Sequence, residues 1–346
     1  GGRRVRSATY RLWGGIAAAS ALLTLGAAQA AGVDDAPGAS TAASNTSLIR
    51  DASSMTGGGI LAGVSGGSAF GPDLVSIAPS AAGGSADNGR PRFGVWAGGG
   101  YLYTKFDNAL LPYNGNLYSS LLGFDYAITR SIAVGVAGGY ENWNVKTDFD
   151  TGTLKTNGYT AAPYLRLALG RYVTLSGLFG YSSLSNDETR TAGTVRGSFD
   201  STRWFGGTML SGNYRGDNWL FNASFSYIYT DQKDDAYNET GGAGAGAVHG
   251  NTAKVAQGQL GLRIGYDIGG SGFVPFMTAR LEHEFTHPGN AVVAGDAVVS
   301  DATGYILGGG LGYSRGAVSV GIEGDTVKGR SSLTDYQVLG DIRFRF

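Results

Sequence analysis

The residues best suited to chemistry lie close together in the last third of the chain. Glu282, His283 and Glu284 are followed three positions later by His287. Carboxylates and imidazoles at such spacing can share acid–base work or ligate a metal. The surrounding stretch, however, alternates Pro275, Met277, Ala279, Leu281 and Phe285 with Thr278, Arg280, Glu282 and Glu284. In an extended strand, successive side chains point to opposite faces, so Glu282 and Glu284 share a face that His283 leaves. The four are not expected to converge, and no metal site is assigned. Asp231, Asp234 and Asp235 form a second acidic group, expected at a loop tip as solvated charges or as ligands of a divalent ion. Gly63-Val64-Ser65-Gly66-Gly67 spells the serine-hydrolase pattern G-x-S-x-G, and Gly57-Gly58-Gly59 could imitate an oxyanion loop. That chemistry needs a strand before the serine and a helix after it, with Asp and His downstream. A Gly/Ser-rich tract spells the motif by chance, so no catalytic residue is assigned.

A larger set of charges is spread through the chain: Glu141, Arg166, Arg263, Arg280, Glu282, Glu284, Glu323, Arg343 and Arg345. Each falls on the polar side of a stretch with a period of two, the signature of a strand with one apolar and one polar face. Clear strands are expected over 131–145, 158–169, 172–183, 219–230, 259–268, 274–285 and 317–325. Weaker ones fall at 92–106, 117–126, 202–214 and 303–313. The last strand, Leu333 to Phe346, places Tyr336, Val338, Ile342, Phe344 and Phe346 on its apolar face, and ends the chain on an aromatic. That makes twelve strands. A closed barrel of that size encloses more space than one face of side chains fills. The charged face is therefore expected to line a hydrated lumen or hold a plug by ion pairs, or else to pair across the lumen and stiffen the wall. The apolar face then meets lipid. Tyr101, Tyr103, Tyr140, Trp143, Tyr181, Tyr229, Phe285 and Phe346 crowd the strand ends, as interfacial girdles do.

Connection lengths sort into two kinds. Those at 107–116, 146–157, 184–199, 231–253 and 286–302 read as long, with 327–332 intermediate. Those at 127–130, 170–171, 215–218, 269–272 and 314–316 read as short. Outer-membrane barrels have short periplasmic turns and longer outer loops. The adhesion-like tripeptide Arg215-Gly216-Asp217 falls on the short-turn side and reads as a turn. Glycine supplies 60 of 346 residues, far above the usual ~7%. There is no cysteine, and the formal net charge of −1 offers no basic field for nucleic acid. No run of 18 apolar residues predicts a membrane helix.

The first 90 residues differ from the rest. Residues 1–30 read as a secretory signal: Arg3, Arg4, Arg6 and Arg11 precede an apolar core from Ile16 to Gly26. Ala28 and Ala30 then give the small-x-small cleavage pattern. Residues 31–90, rich in Ala, Gly, Ser and Thr, read as a low-complexity linker, with one helical turn near Leu48 to Met55.

Several stretches together make residues 91–346 resemble the autotransporter translocator, the outer-membrane barrel of type V secretion. They are Gly94-Val95-Trp96 opening the first strand, Pro275 to Phe285, the glycine-spaced Leu307-Gly308-Gly309-Gly310-Leu311-Gly312-Tyr313, and the ending Ile342-Arg343-Phe344-Arg345-Phe346. The resemblance implies an all-β transmembrane barrel in the outer membrane of a Gram-negative bacterium. Such a barrel exports an N-terminal segment through its pore, needs no cofactor and is inserted by the barrel assembly machinery. Its C-terminal strand would be the assembly signal. Implied partners are outer-membrane lipid and lipopolysaccharide, the assembly machinery and the chain's own N-terminal segment in the lumen. Residues 31–90 are too short for the family's usual β-helical passenger, and no pore helix is well marked before Phe93. A porin-like or structural barrel without a passenger is the alternative, and a surface hydrolase of the outer-membrane protease type is the third reading.

Overall fold

From Phe93 the period-two pattern becomes one continuous ladder. The computed structural model describes residues 37, 47–64, 93–107, 112–286, 292–293, 296–297 and 301–346. Twelve strands close on themselves in chain order, with the first paired to the last. They are β1 (Phe93–Phe106), β2 (Tyr113–Ala127), β3 (Ile132–Thr147) and β4 (Gly152–Ala168). β5 (Val173–Arg190), β6 (Val195–Gly216), β7 (Trp219–Asp234) and β8 (Asn251–Tyr266) follow. β9 (Phe273–Thr286), β10 (Thr303–Arg315), β11 (Val318–Lys328) and β12 (Leu333–Arg345) complete the wall. The closing seam runs antiparallel from Gly94↔Arg345 to Phe106↔Leu333. Phe346 completes it, donating its amide to the Phe93 carbonyl at 2.8 Å and accepting from the Phe93 amide at 3.2 Å. A closed ladder leaves no strand edge unpaired, which is what a wall in lipid requires.

Burial alternates as the sequence pattern does, but the apolar set is the outward one. Phe124, Val136, Phe179, Leu260, Ile322 and Val338 face out, while Glu141, Arg203, Thr230, Arg263 and Glu323 are buried inside. Outward aromatics form two rings. One includes Phe93–Tyr126, Trp219–Tyr266 and Phe273–Tyr313 beside the short turns, with ring centroids 5.1, 5.1 and 4.7 Å apart. The other includes Tyr101–Tyr118, Tyr140–Tyr159 and Tyr181–Trp204, at 5.0, 5.3 and 4.6 Å.

Two of the expected long loops are tight turns. The chain turns over residues 148–151 and 191–194, using positive φ at Thr151, Thr191, Ala192 and Gly193. The strands on either side run on past the outer aromatic ring. β6 has 22 residues, about twice the nine to eleven needed to cross a bilayer. Above lipid the outward positions are Lys, Asn, Ser and Asp, so the apolar–polar alternation fades although the ladder continues. The acidic group of 231–235 is corrected for the same reason, since Asp231 and Asp234 belong to β7. The wall is consequently lopsided. β4 to β6 have 17, 18 and 22 residues, whereas β10 to β12 have 13, 11 and 13.

The lumen holds a helix. Residues 47–64 are helical, with a π-turn at Ser54–Gly58 and an α-helical end at Gly59–Val64. The single turn expected near Leu48 to Met55 is therefore an underestimate. Glycines 57 to 59 lie within this helix and form no loop, and Gly59 itself is right-handed helical (φ −62°, ψ −43°). Isolated, three consecutive glycines would each cost about 1 kcal/mol of helix stability. Burial offsets that cost: Ile49, Ala52, Ile60 and Leu61 are fully enclosed by the wall.

Candidate functional site

The helix runs from the long-loop end of the barrel to the short-turn end, and polar contacts fix it at three depths. At the outer end, Arg50 pairs with Asp51 at 2.6 Å, Glu284 at 3.4 Å and Asp335 at 3.6 Å. Glu284 also accepts from Arg330 at 2.5 Å, and Arg330 bonds Glu282 as well. Gln259 donates to Glu282 at 2.9 Å and to the Ser54 hydroxyl at 3.3 Å. Asp51 is on the helix itself, Glu282 and Glu284 come from β9 and Asp335 from β12, and both guanidiniums lie outside the strands, one on the helix and one in the last outer loop.

At mid-depth, Thr56 donates to Glu141 Oε2 at 3.1 Å, and Glu141 is itself held by Arg203 at 2.9 and 3.1 Å. Arg203 also donates to Gln232 at 3.0 Å and lies over the Trp143 ring, 5.3 Å from its centroid. The Thr230 hydroxyl donates to Ser53 at 2.9 Å. Phe205 and Ile228 pack at Gly57, where an added methyl carbon would stand 3.5–3.7 Å from them. At the inner end, Trp96 forms a floor. A methyl at Gly63 would meet its ring at 3.0 Å and one at Gly123 at 2.2 Å, so the indole occupies the space two absent side chains leave. Its Nε1 donates to Tyr164 at 3.1 Å, and Tyr164 donates to the Phe124 carbonyl at 2.9 Å. Arg343 caps the helix by donating to the Gly63 carbonyl at 2.5 Å, and it pairs with Asp125. A cation at a helix C-terminus meets the negative end of its dipole.

The remaining residues singled out from sequence fall as follows. Arg263 pairs with Glu323, while Arg280 bonds Asp325 and lies 3.7 Å from Glu323. These pairs link β8 and β9 to β11 on the inner face of the wall. Arg166 and Arg345 sit near the short-turn ends of β4 and β12, opposite Ala133 and Gly94 in the ladder. Tyr336, Val338, Ile342, Phe344 and Phe346 share the outward face of the last strand. His283 is outward and exposed, with Nδ1 2.7 Å from the Thr303 hydroxyl, while Glu282 and Glu284 point inward. Asp234 is inward, accepting from Ser201 at 2.7 Å and Gln232 at 2.9 Å, whereas Asp231 faces Lys254 at 3.5 Å. Glu282 and Glu284 thus meet at Arg330 while His283 points away from them, and Asp231 and Asp234 lie on opposite faces of β7. Ala28, Ala30, His287 and Ser65 lie outside the described residues. Gly63 and Val64 end a helix, so no strand precedes the serine as a nucleophile turn requires. Arg215 and Gly216 end β6 and Asp217 opens the tight turn to β7, with positive φ at Asp217 and an ion pair from Arg215 to Asp267.

The outer mouth is covered by the segment after β7. Arg190 donates to Glu239 at 2.9 and 2.6 Å with both side chains fully buried. Tyr237 stacks on Phe199 at 4.5 Å and donates to Glu188 at 3.0 Å. Pro37 reaches this lid, as a methyl at Gly246 would stand 3.2 Å from its ring. In the last outer loop, the amide and hydroxyl of Ser331 donate to Asp301 at 2.7 and 2.5 Å, holding that carboxyl below its ordinary range. Sequence reasoning missed Arg50, Trp96, Arg203, Arg330 and Asp335. For Arg203 the signal was parity, since it shares a face with Phe205 and Met209. For Arg50 it was a lone Arg–Asp pair within a neutral tract.

Comparison with known structures gives the same architecture. The chain is similar to the translocator domain of the autotransporter NalP from Neisseria meningitidis, at 17% identity and TM-score 0.67, covering 87% of this chain and 98% of that one. It is similar to the β-domain of the Bordetella autotransporter BrkA, at 16% identity and TM-score 0.57, covering 74% and 100%. The transport unit of AIDA-I from Escherichia coli matches at 13% identity and TM-score 0.53, over 76% and 93%. No curated protein matches the sequence. The family model of the autotransporter β-domain matches residues 94–326, the greater part of the wall just described, and the chain belongs to that family of outer-membrane transport barrels.

Proposed function

We propose that this barrel exports an N-terminal segment of its own chain across the outer membrane of a Gram-negative bacterium, then keeps the last helix of that segment as a plug. One observation carries the reading: the helix threads the lumen with residue 47 at the long-loop end and residue 64 at the floor. Ser47 shares a hydrogen bond with Tyr113 at the start of β2, and Pro37 lies against the outer lid. A chain laid out in this way has already crossed. Residues 1–30 serve as the leader to the periplasm, cut after Ala30, and the outward apolar face of β12 serves as the signal read by the assembly machinery.

Two measurements test this. Planar-bilayer conductance of the chain is compared with that of a variant lacking residues 47–64. Removing the plug is expected to raise single-channel conductance several-fold, and equal conductance would sink the plug. The chain has no cysteine, so Pro37→Cys introduces a single label site. Labelling of intact cells by a membrane-impermeant maleimide is expected, and protection until the outer membrane is broken would overturn export of that segment.

A further inference from the structure

From residue 12 to residue 89 the chain has one basic side chain, that of Arg50. The wall meets it with a seat built from residues outside the helix. Glu282 is already occupied there, by Arg330, Gln257 and Gln259. Glu284 is shared, accepting from Arg330 at 2.5 Å and from Arg50 at 3.4 Å. Asp335 is 2% exposed, and its one ion pair among the described residues is with Arg50, at 3.6 Å. Arg330 is fully buried and donates to the Asp301 carbonyl at 2.9 Å, so the wall and its last outer loop assemble this seat without the helix. Asp51 turns the guanidinium toward it. Arg50 Nε donates to Asp51 at 2.8 Å, while Nη1 faces Glu284 and Nη2 faces Asp335.

The other contacts along the helix fix its depth less sharply. The space beside Phe205 and Ile228 is met by Gly57, and Gly58 and Gly59 follow it directly. Gly63 meets the Trp96 floor, and glycine recurs at 66 and 67. Small side chains pack acceptably in more than one register. A buried charge has no such freedom, because it either finds its partner or is left unpaired. One helical turn is about 5.4 Å, enough to carry the guanidinium out of ion-pair reach of both Glu284 and Asp335. A single buried polar position can set the register of an otherwise apolar contact, as it does in coiled coils.

We infer that Arg50 is the positioning residue that sets where the chain comes to rest in the pore: export halts in the register that seats its guanidinium between Glu284 and Asp335. This rests on the export reading above and adds what determines the stopping point. The hydroxyls of Ser53 and Thr230 are 2.9 Å apart, so cysteines at these positions fall within disulfide reach in a chain that has no other cysteine. S53C/T230C is expected to crosslink in outer membranes treated with a mild oxidant. The test then inserts four alanines between Asp51 and Ala52 of the full chain, which separates Arg50 from the floor by about one turn. The second added alanine now stands third after Arg50, where Ser53 stood. Cysteine replacing that alanine is expected to crosslink to T230C at least about threefold better than cysteine replacing Ser53. Crosslinking through Ser53 as in the parent would overturn the assignment and give the register to the floor. Crosslinking through neither, in a barrel that keeps heat-modifiable migration, would overturn it too. If the insertion variant does not assemble, R50A and R50K carry the test at parent length. R50A is expected to lower the S53C/T230C yield at least about threefold and R50K to keep most of it, and equal yields in all three would overturn the assignment. Labelling of Pro37→Cys reads export separately. Protection there would end the export reading, while a crosslink that follows Arg50 would still assign the register.

Discussion

Arg50 meets carboxylates from the helix and from two strands in the dry upper lumen. Removing one member of a buried ionic cluster leaves the others charged and unpaired, which typically costs 3–5 kcal/mol. Arg50→Ala should therefore weaken retention of the helix more than any apolar truncation on it. Brief open events in planar-bilayer recordings should appear, absent from the parent, and Arg50→Lys should suppress them in part because it restores charge without the planar fork. Unchanged gating in Arg50→Ala would assign the plug's hold to packing alone. Trp96 presents the opposite case, since what matters there is missing volume. Gly63 and Gly123 leave the slot that the indole fills. Gly123→Val would place side-chain carbon inside the ring. The expected result is a displaced floor, read as quenched or red-shifted tryptophan emission in a barrel that still shows heat-modifiable migration.

Elements differed in how legible they were. Strands in lipid announce themselves, because outward residues such as Phe124, Val136, Phe179 and Val338 answer to hydrocarbon. The same strands become hard to read above the membrane, where Lys155, Asn157, Asp187 and Ser198 face water and only the buried Leu154, Leu184 and Phe199 keep the period. The lumen helix was nearly invisible for another reason. Its burial comes from a wall built elsewhere in the chain, so small residues suffice where an independent helix would need a larger apolar stripe. The mouth lid was equally hidden, since its anchors Arg190 and Glu239 are 49 residues apart. That anchor predicts a local effect. Arg190→Ala should leave Glu239 buried without its guanidinium and free the segment from 235 to 250. Protease nicking should appear there while the boiled-versus-unboiled gel shift of the barrel stays as in the parent. Intact 235–250 under protease would mean that Tyr237 on Phe199 holds the lid unaided.

Over the whole molecule the lumen has a charge axis. Glu282, Glu284 and Asp335 face Arg330 near the outer mouth, giving the wall an acidic excess there once Arg50 and Asp51 of the helix are set aside. The middle is balanced, Arg203 with Glu141 and Arg263 and Arg280 with Glu323 and Asp325. At the floor Arg343 dominates, with Arg345 beside it on β12, Arg166 near the same end of β4, and Asp125 as its partner. The helix lies along this axis with its positive end at the acids and its negative end at Arg343, so the wall's field favours the orientation that points the N-terminus outward. An emptied pore with fixed charge of opposite sign at its two ends conducts asymmetrically, because each mouth concentrates a different ion. The variant lacking residues 47–64 should thus rectify in symmetric salt, and the rectification should fade as salt rises and screening shortens. Adding E282Q, E284Q and D335N to that variant should bring the current–voltage curve close to linear while lowering cation preference. A curve equally bent with and without the three carboxylates would place the asymmetry in the shape of the pore, and the helix's orientation would then rest on the Trp96 floor.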